Sequence, residues 1–260
     1  MRNICRVATL VLFACTGVSA RGIFLEAGTV YQNSHSFYGS GDTASVNGRY
    51  FAANTSLGFE GKTWLAGISA PFASRNASAE YYYADSNQKV MSSVTETGMG
   101  DPSIFGAHDI FGGNRYAPSV SITGSASAPI GKTALSLQTW QARPGIALDY
   151  PLSVFWFSLR TYTAIPFAAK EAVAGQYTAY AGAIFTTAVS LFQRFSTGMD
   201  ISYATGDFVR ADASLRLGGF LSVSLAVEGL SFYFGGQTEV VRTDRDFFMQ
   251  MSVRYRNIRL

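Results

Sequence analysis

The stretch SVSITGSASAPIGKT, residues 119–133, is compatible with two very different folds. Its last eight residues, 126–133, fit a relaxed phosphate-binding loop of the form A-x-x-x-x-G-K-T, which would indicate a nucleotide-binding enzyme. Its body alternates small polar residues with small or apolar ones from Ser119 to Ala128. Such alternation is typical of a strand whose two faces meet different surroundings, for example one wall of a pore.

The N-terminus has the composition of an export signal. Arg2 and Arg6 precede an apolar run over 7–14, and residues 18–20 (Val-Ser-Ala) are the small residues that a signal peptidase needs. The apolar run is far shorter than the roughly 20 residues that span a bilayer as a helix. We therefore predict a signal peptide over 1–20, cleaved after Ala20, and one domain over 21–260.

Cysteine usage and charge narrow the class of protein further. Cys5 and Cys15 both lie in the signal segment, so disulfides do not stabilise the remainder. Cys15 also allows lipoprotein processing as an alternative, although the bulky Phe13 fits that motif poorly. Two of the 20 basic residues and none of the 17 acidic ones lie in 1–20, which leaves a formal net charge of +1. The basic residues occur singly, so we expect no nucleic-acid partner.

The hydrophobic residues are spread thinly along the chain. They make up 48% of it, with 14% aromatic and only 14% charged residues, yet no long apolar run follows residue 20. Apolar residues instead alternate with polar ones in segments of about ten, for example over 51–59, 64–72, 195–203 and 247–255. An exported chain with this pattern is typical of a membrane β-barrel, whose side chains face lipid and lumen in turn.

A soluble β-sandwich also alternates, but two features favour the barrel. Aromatic residues mark the ends of apolar faces, as expected for the two membrane interfaces. Connections also alternate in length: short ones are predicted near 61, 113, 150–151 and 218–219, and longer ones over 33–47, 73–100, 165–175 and 229–245. Intermediate ones fall near 130–137 and 204–208. We predict an all-β, transmembrane, antiparallel up-and-down barrel of about 12 strands.

Two segments leave details open. A turn is required near 190–193, where no glycine or proline marks it. In an earlier strand, which ends near Thr163, either Phe155, Phe157 and Leu159 face lipid, or Val154 and Trp156 do.

The phosphate-loop interpretation fails on its context. Such a loop needs a helix after it, whose free N–H groups hold the phosphate, and a distant carboxylate for magnesium. The chain continues instead toward a strand-like run broken by Pro144. Asp149, the carboxylate that could bind magnesium, lies too close to the loop in sequence for a crossover connection between them. Pro129 and Gly131 therefore mark the end of a strand and the start of an outer loop.

Two motifs resemble a known family of barrels. TETGMGDPSIFGAHDIF, residues 95–111, resembles the G-x-G-D segment of the family named for the meta-pathway of phenol degradation, here Gly98, Gly100 and Asp101. SASAPIGK, residues 125–132, resembles the strand end that follows one hairpin later. The resemblance implies an outer-membrane barrel that passes small, often aromatic or otherwise hydrophobic compounds, and it supplies no catalytic residues. The chain departs from outer-membrane barrels at Leu260, which is out of phase with the outward residues Val253 and Tyr255.

The charged residues on the polar faces of the strands are candidates for lining a channel. They are Arg143, Asp149, Arg194, Asp200, Arg210, Asp212, Arg216, Glu228, Arg254 and Arg256. Such charges can brace the barrel in pairs or filter solutes. Arginines outnumber acids six to four, which hints at a preference for anions.

A second candidate site is the tyrosine run Tyr81, Tyr82 and Tyr83, in the predicted loop over 74–100. Long loops in compact proteins are commonly functional, and this one could form a ligand platform at the mouth or a mobile surface loop.

Catalytic chemistry has little support. His35 and His108 are the two histidines, and His35 lies between Ser34 and Ser36, where sequence neighbours rarely form a working Ser–His pair. We expect no metal, no cofactor and no enzyme activity.

The leading hypothesis is an outer-membrane channel of a Gram-negative cell for passive uptake of small hydrophobic or aromatic compounds. Its expected partners are outer-membrane lipid, the barrel assembly machinery and the solute. Three alternatives stay open: a general or weakly anion-selective porin, a surface lipid-modifying enzyme that depends on His35, and a structural barrel.

Overall fold

The structure is a computed structural model that describes residues 22–38, 43–83, 88–112, 117–136, 138–167, 178–191, 194–206, 213–225, 229–240 and 246–258. These residues form 14 strands and one turn of 3-10 helix, Thr133–Leu135. The strands are β1 Gly22–Tyr38, β2 Thr43–Glu60, β3 Trp64–Tyr83, β4 Gln88–Met99, β5 Ser103–Phe111, β6 Ser119–Ser127, β7 Trp140–Ala142, β8 Gly145–Leu152, β9 Phe155–Phe167, β10 Tyr180–Leu191, β11 Phe195–Ala204, β12 Ser214–Ser224, β13 Leu230–Glu239 and β14 Phe247–Ile258. Within this described part, no helix has the length and apolar character needed to cross a membrane.

All strand pairs are antiparallel, and the sheet closes on itself because β14 pairs with β1. At two places around the barrel wall, two shorter strands take the place of one long strand. β4 and β5 both pair with β3 and are separated at Gly100–Pro102, while β7 and β8 both pair with β6 and β9 and are separated at Arg143–Pro144. Each break contains a proline, which has no N–H to donate to a neighbouring strand. The barrel therefore has 12 wall strands, and the predicted fold class and strand number are confirmed.

Closure of the sheet follows from the alternation seen in the sequence. A strand with one apolar face buries that face or exposes it to lipid, and its backbone groups need partners on both edges. Closure of the antiparallel sheet gives each strand of the ring a neighbour on both sides, which removes the edges that lipid would otherwise meet. Among the described strands, β4 lies off this ring and pairs only with β3.

The strands next to the N-terminus are longer than predicted. β1 continues to Tyr38, β2 begins at Thr43, and β3 and β4 reach Tyr83 and Gln88, so the loops predicted over 33–47 and 73–100 are wrong as loops. These segments still alternate, and their cross-strand pairing continues without a shift. Together they form a sheet that extends beyond the rest of the barrel, called here the wall extension (residues 33–38, 43–50, 74–83 and 88–98).

Two other connections were predicted at the wrong place, because pairs of glycines in the sequence resemble turns. The turn predicted at Gly218-Gly219 lies inside β12, and β13 occupies most of the loop predicted over 229–245. A Cβ at Gly218 would collide with the carbonyl oxygen of Gly236 and lie 2.5 Å from Cγ of Gln237. Close packing between β12 and β13, and not a turn, requires this glycine.

Of the remaining turns, those within the described residues agree with prediction or move by a few residues, while the connections predicted near 113, over 165–175 and near 204–208 lie wholly or partly outside the described residues. β2 and β3 are joined at 61–63, as expected, and β10 ends at Leu191 and β11 begins at Phe195, which agrees with a connection near 190–193. The turn predicted at 150–151 lies at Ser153-Val154, where Ser153 adopts a positive φ of 60°.

Candidate channel lumen and mouth

Contacts between strands that are not neighbours identify the inner face of the barrel. Phe24 on β1 and Phe105 on β5 have ring centroids 6.1 Å apart, although β2 and β3 lie between those strands. The phenol of Tyr233 on β13 lies in the field of Asp200 on β11 and Arg160 on β9. Side chains of separated strands meet on the concave side of a closed sheet. The inner and outer residues of each strand then follow by alternation.

The outer face carries large apolar side chains that are exposed. They include Leu25, Phe51, Leu57, Ile68, Phe72, Ile122, Ile146, Leu159, Met199, Ile201, Leu217, Phe232, Phe234 and Met251. Phe155 and Leu159 are exposed on this face, which settles the orientation of β9 left open by its sequence. Lipid is the solvent that matches such a surface.

Aromatic residues bound this apolar face on β2. Phe51 and Phe59 are eight residues apart, which is about 27 Å along a strand at about 3.4 Å per residue. At a tilt of about 40° their separation along the barrel axis is about 21 Å, close to the apolar band of about 25 Å in outer-membrane barrels. Tyr31 lies opposite Phe51, and Phe72 on β3 lies opposite Ala53, the next outward residue of β2.

The polarity of both faces reverses beyond Tyr31, Phe51 and Phe72. The outer face of the wall extension is mostly polar, with Tyr82 and Met91 as exposed exceptions. Its polar residues are Asn33, His35, Asn47, Arg49, Asn76, Ser78, Glu80 and Lys89. Lys89 and Glu80 form an ion pair of 2.6 Å on it. The inner face gains apolar residues toward the rim, namely Val46, Ala77, Ala79, Tyr81, Tyr83, Val90 and Val94, beside the polar Gln88 and Ser92 and the charged Arg75 and Glu96. The outer face of the extension thus suits water, and its inner face offers apolar surface to the mouth of the barrel.

The three tyrosines singled out by sequence lie on the last residues of β3, and not in a loop. All three are exposed, between 38% and 44%. Because a strand alternates, Tyr81 and Tyr83 point to the inner face and Tyr82 points to the outer one. The mouth therefore contains two of the three rings.

Aromatic residues on the inner wall lie flat over glycines of neighbouring strands. Phe24 and Phe105 sit over Gly58 and Gly67, which pair with each other and with these two phenylalanines in one row across four strands. Tyr162 covers Gly182 and Phe220 covers Gly198 in the same way. A ring that rests on a glycine takes little room from the lumen, so the wall is aromatic without being blocked by these rings.

Two of the predicted lining arginines form ion pairs on the inner face. Arg254 contacts Glu26 through Nε at 2.7 Å and through Nη2. Arg216 Nε lies 3.5 Å from the buried carboxylate of Glu239, and its Nη2 lies 3.8 Å from Asp246. Their acidic partners were not among the sequence candidates, because pairing depends on the register between strands.

Inner carboxylates of the middle wall are held by hydroxyl groups. Thr186 donates to Asp200 at 2.7 Å, and Ser121 donates to Asp109 at 2.7 Å. Asp149 also faces inward, opposite Ser119 and Ser158. These bonds fix the position of negative charge along one side of the lumen.

Arg143 and Arg160 are exposed on the inner face, while Arg194 lies in the turn before β11. Arg160 was not singled out from the sequence, although it alternates in phase with Ser158. Within the described part of the chain it forms no ion pair, so its charge is available to a solute. Arg210, Asp212 and Glu228 lie outside the described residues, as does the side chain of Arg256.

The family motif residues lie at the break between β4 and β5. Asp101 accepts a hydrogen bond from the N–H of Gly131 at 3.1 Å, and the N–H of Gly100 donates to the carbonyl of Pro71 at 2.9 Å. A Cβ on Gly131 would lie 2.5 Å from the carbonyl carbon of Gly100. The two motifs therefore meet in space, and glycine is needed at 131 for that close approach.

Two grooves of about 670 and 560 Å³ lie on the outer face. Small residues line their floors, such as Ala181 and Ala183 in the first and Ala27 and Ala53 in the second. They face the lipid side of the wall and are not part of the lumen.

The histidine considered for catalysis pairs with an amide. Nδ1 of His35 lies 2.6 Å from Oδ1 of Asn47 on the outer face of the wall extension. Ser34 points to the other face and donates to the carbonyl of Gly48 at 3.4 Å. His108 is exposed on the outer face of β5.

No family model matches the chain, and no curated protein matches it. Solved barrels do. An outer membrane channel from Pseudomonas putida F1 matches over 92% of this chain and 97% of that chain, with 10% identity and a TM-score of 0.63. The transport unit of the autotransporter AIDA-I from Escherichia coli matches over 90% of each chain, with 10% identity and a TM-score of 0.59. The NanC porin matches over 89% of this chain and 98% of that chain, with 8% identity and a TM-score of 0.54. At such low identity the likeness shows the fold, a closed barrel of the outer-membrane type.

Proposed function

We propose that this chain is an outer-membrane channel for the passive uptake of small hydrophobic or aromatic compounds, exported through a signal peptide over 1–20 and inserted by the barrel assembly machinery. The observation that carries the proposal is the reversal of polarity in the wall extension. Toward the rim, the inner face carries Tyr81, Tyr83, Val90 and Val94, while Glu80 and Lys89 at the same level face outward; the inward charges Arg75 and Glu96 lie nearer the barrel. A surface of this kind adsorbs apolar solutes from water.

Adsorption of this strength is suited to the transient passage of a solute and not to a permanent binding site. A small aromatic solute that buries roughly 100 Å² of apolar surface on the extension gains about 2.5 kcal/mol before the entropic cost of binding. This raises the local concentration of the solute and still allows rapid release. At the opposite end of the barrel, near the turn at 61–63, the flat rings of Phe24 and Phe105 supply further aromatic surface on the inner wall.

A weakly anion-selective porin is the second candidate. It is favoured by Arg143 and Arg160, which are exposed on the inner face, and by the similarity of fold to the NanC porin. Passive transport, and not catalysis, is proposed in both cases. His35 pairs with Asn47 on the outer face of the wall extension, whereas its neighbour Ser34 points to the other face, so these two residues do not form a Ser–His pair.

The orientation of the tyrosines provides the test. Tyr81→Ser combined with Tyr83→Ser removes the rings on the inner face, and Tyr82→Ser removes the neighbouring ring on the outer face. We expect the double variant to lower uptake of a small aromatic compound several-fold in vesicles, with ion conductance unchanged. Tyr82→Ser should match the wild type in both measurements.

The porin candidate predicts the opposite pattern. Arg160→Gln would then lower anion selectivity in a planar bilayer, and the uptake of the aromatic compound would not respond to Tyr81 or Tyr83. If all three tyrosine substitutions have equal effects, the mouth surface is not the site of adsorption.

A further inference from the structure

The segment over 128–139, which joins β6 to β7, folds against the inner face of the barrel mouth and is called here the inward loop. Of this segment, residue 137 lies outside the described part. A Cβ built on Gly98 would lie 3.1 Å from Cδ of Lys132 and 3.8 Å from Cδ1 of Leu135. Gly98 is an inner residue of β4, because it pairs with Ala73 while Met99 and Phe72 next to them are exposed outside. Lys132 and Leu135 therefore lie on the lumen side of the wall.

Burial beneath and within the loop agrees with this placement. Ala73, on the inner face below the loop, is 1% exposed, and Thr139 in the loop is fully buried. The hydroxyl of Thr139 donates to the carbonyl of Phe167 at 3.3 Å, which ties the end of the loop to β9. A connection that ran outward over the rim would leave both residues exposed to water.

Backbone hydrogen bonds hold the start of the loop to the break in the wall. The N–H of Ala128 donates to Pro102 at 3.0 Å, and the N–H of Lys132 donates to Met99 at 2.8 Å. Between them, the N–H of Gly131 donates to Asp101. The loop is thus anchored at three points over five residues, and its position is set by the wall.

Charges line up along the inner face at this level. Tyr50 on β2 pairs with Arg75 on β3, which pairs with Glu96 on β4. Glu96 forms an ion pair with Lys132 of the loop, and Nζ of Lys132 also lies 3.4 Å from the carbonyl of Thr97. Two cations flank one carboxylate in this row, and the charge of Asp101 also acts on Tyr50, so the formal sum of these four charges is zero with Lys132 and −1 without it.

We infer that the inward loop is the constriction of the channel, and that Lys132 sets its charge preference in favour of anionic solutes. Lys132 is 49% exposed, so its ammonium group meets solutes as well as Glu96. A charge at a narrow, low-dielectric opening acts on every ion that passes. This inference rests on the proposed channel function.

Lys132→Met tests the charge, and Lys89→Met is the matched control. Lys89 also pairs with a glutamate, but it lies on the outer face, away from the mouth. From reversal potentials in a salt gradient, we expect Lys132→Met to lower the anion-to-cation permeability ratio about sevenfold. One unit charge about 7 Å away in water favours an anion and disfavours a cation, each by a factor of about 2.7. Lys89→Met should leave the ratio unchanged.

A shortened loop tests the constriction independently of the charge. Replacing residues 133–136 by Gly-Ser should raise single-channel conductance, with a heat-shifted gel band showing that the barrel has folded. If Lys132→Met behaves like Lys89→Met and the shortened loop conducts like the wild type, the inference is wrong while the channel proposal stands. If the wild type does not conduct and the shortened variant does, the constriction is upheld and passive passage through the wild type is refuted. If neither conducts, both fail.

Discussion

Asp101 and Gly131 are 30 residues apart in the chain, and the side chain of the first accepts a hydrogen bond of 3.1 Å from the backbone of the second. The contact joins the broken wall strand of β4 and β5 to the inward loop. It also explains why both short motifs contain glycine, since Gly131 approaches the backbone of Gly100 too closely for a side chain. The motifs are therefore one structural unit at the mouth.

Asp101→Ala should loosen the inward loop without unfolding the barrel. The substitution leaves the N–H of Gly131 without its acceptor, at a cost of about 1–3 kcal/mol if no water replaces it. We expect larger and noisier single-channel currents. Asp109→Ala is the control, because it also removes a carboxylate that accepts a hydrogen bond, from Ser121, but has no contact with the loop. Equal behaviour of the two variants would contradict this role of Asp101.

Gly58→Ala should destabilise the barrel. Its new methyl group would overlap the ring of Phe24 and lie 2.5 Å from the carbonyl oxygen of Ala66. Overpacking of this kind costs about 1–3 kcal/mol, which urea titration of the folded gel band in detergent can measure. Gly124→Ala on β6 provides the comparison, since a Cβ there has nothing within 4 Å. A Gly58→Ala barrel as stable as Gly124→Ala would show that Phe24 does not rest on this glycine.

Ile122→Arg should impair insertion into the membrane, and Ser125→Arg should not. Ile122 is 52% exposed on the outer face of β6, whereas Ser125 faces inward on the same strand. Arginine in the middle of the lipid-facing band costs about 2–4 kcal/mol. The yield of folded protein in lipid vesicles measures the difference. The reverse order of the two yields would mean that the faces are assigned the wrong way round.

Alternation in the sequence was sufficient to predict the barrel, its approximate strand number and the faces of most strands. Phe195 to Tyr203 and Phe247 to Tyr255 alternate cleanly because one face meets lipid and the other meets the lumen. The same rule failed in the wall extension. There both faces leave the bilayer, polar residues such as Asn76 replace apolar ones outside, and the segment looks like a loop although it remains a strand.

The sequence indicates which residues face the lumen, but it does not indicate which of them contact each other. Phase alone places Arg254 and Asp200 inside, yet it cannot show that Glu26 lies opposite Arg254 or that Thr186 holds Asp200. Those contacts depend on the register between strands far apart in the chain. The sequence also did not predict that the loop after β6 folds inward, because its turn residues indicate where the strand ends but not which way the chain then runs.

The passage of solute through the barrel is the central claim, and permeability of reconstituted membranes tests it most directly. Purified, folded protein would be placed in vesicles whose outer leaflet contains lipopolysaccharide, which slows the unaided entry of small aromatic compounds. The account predicts that entry of such a compound is faster than in protein-free vesicles, is proportional to the amount of folded protein, and needs no energy source. Entry at the protein-free rate, with the barrel shown to be folded and inserted, would contradict it.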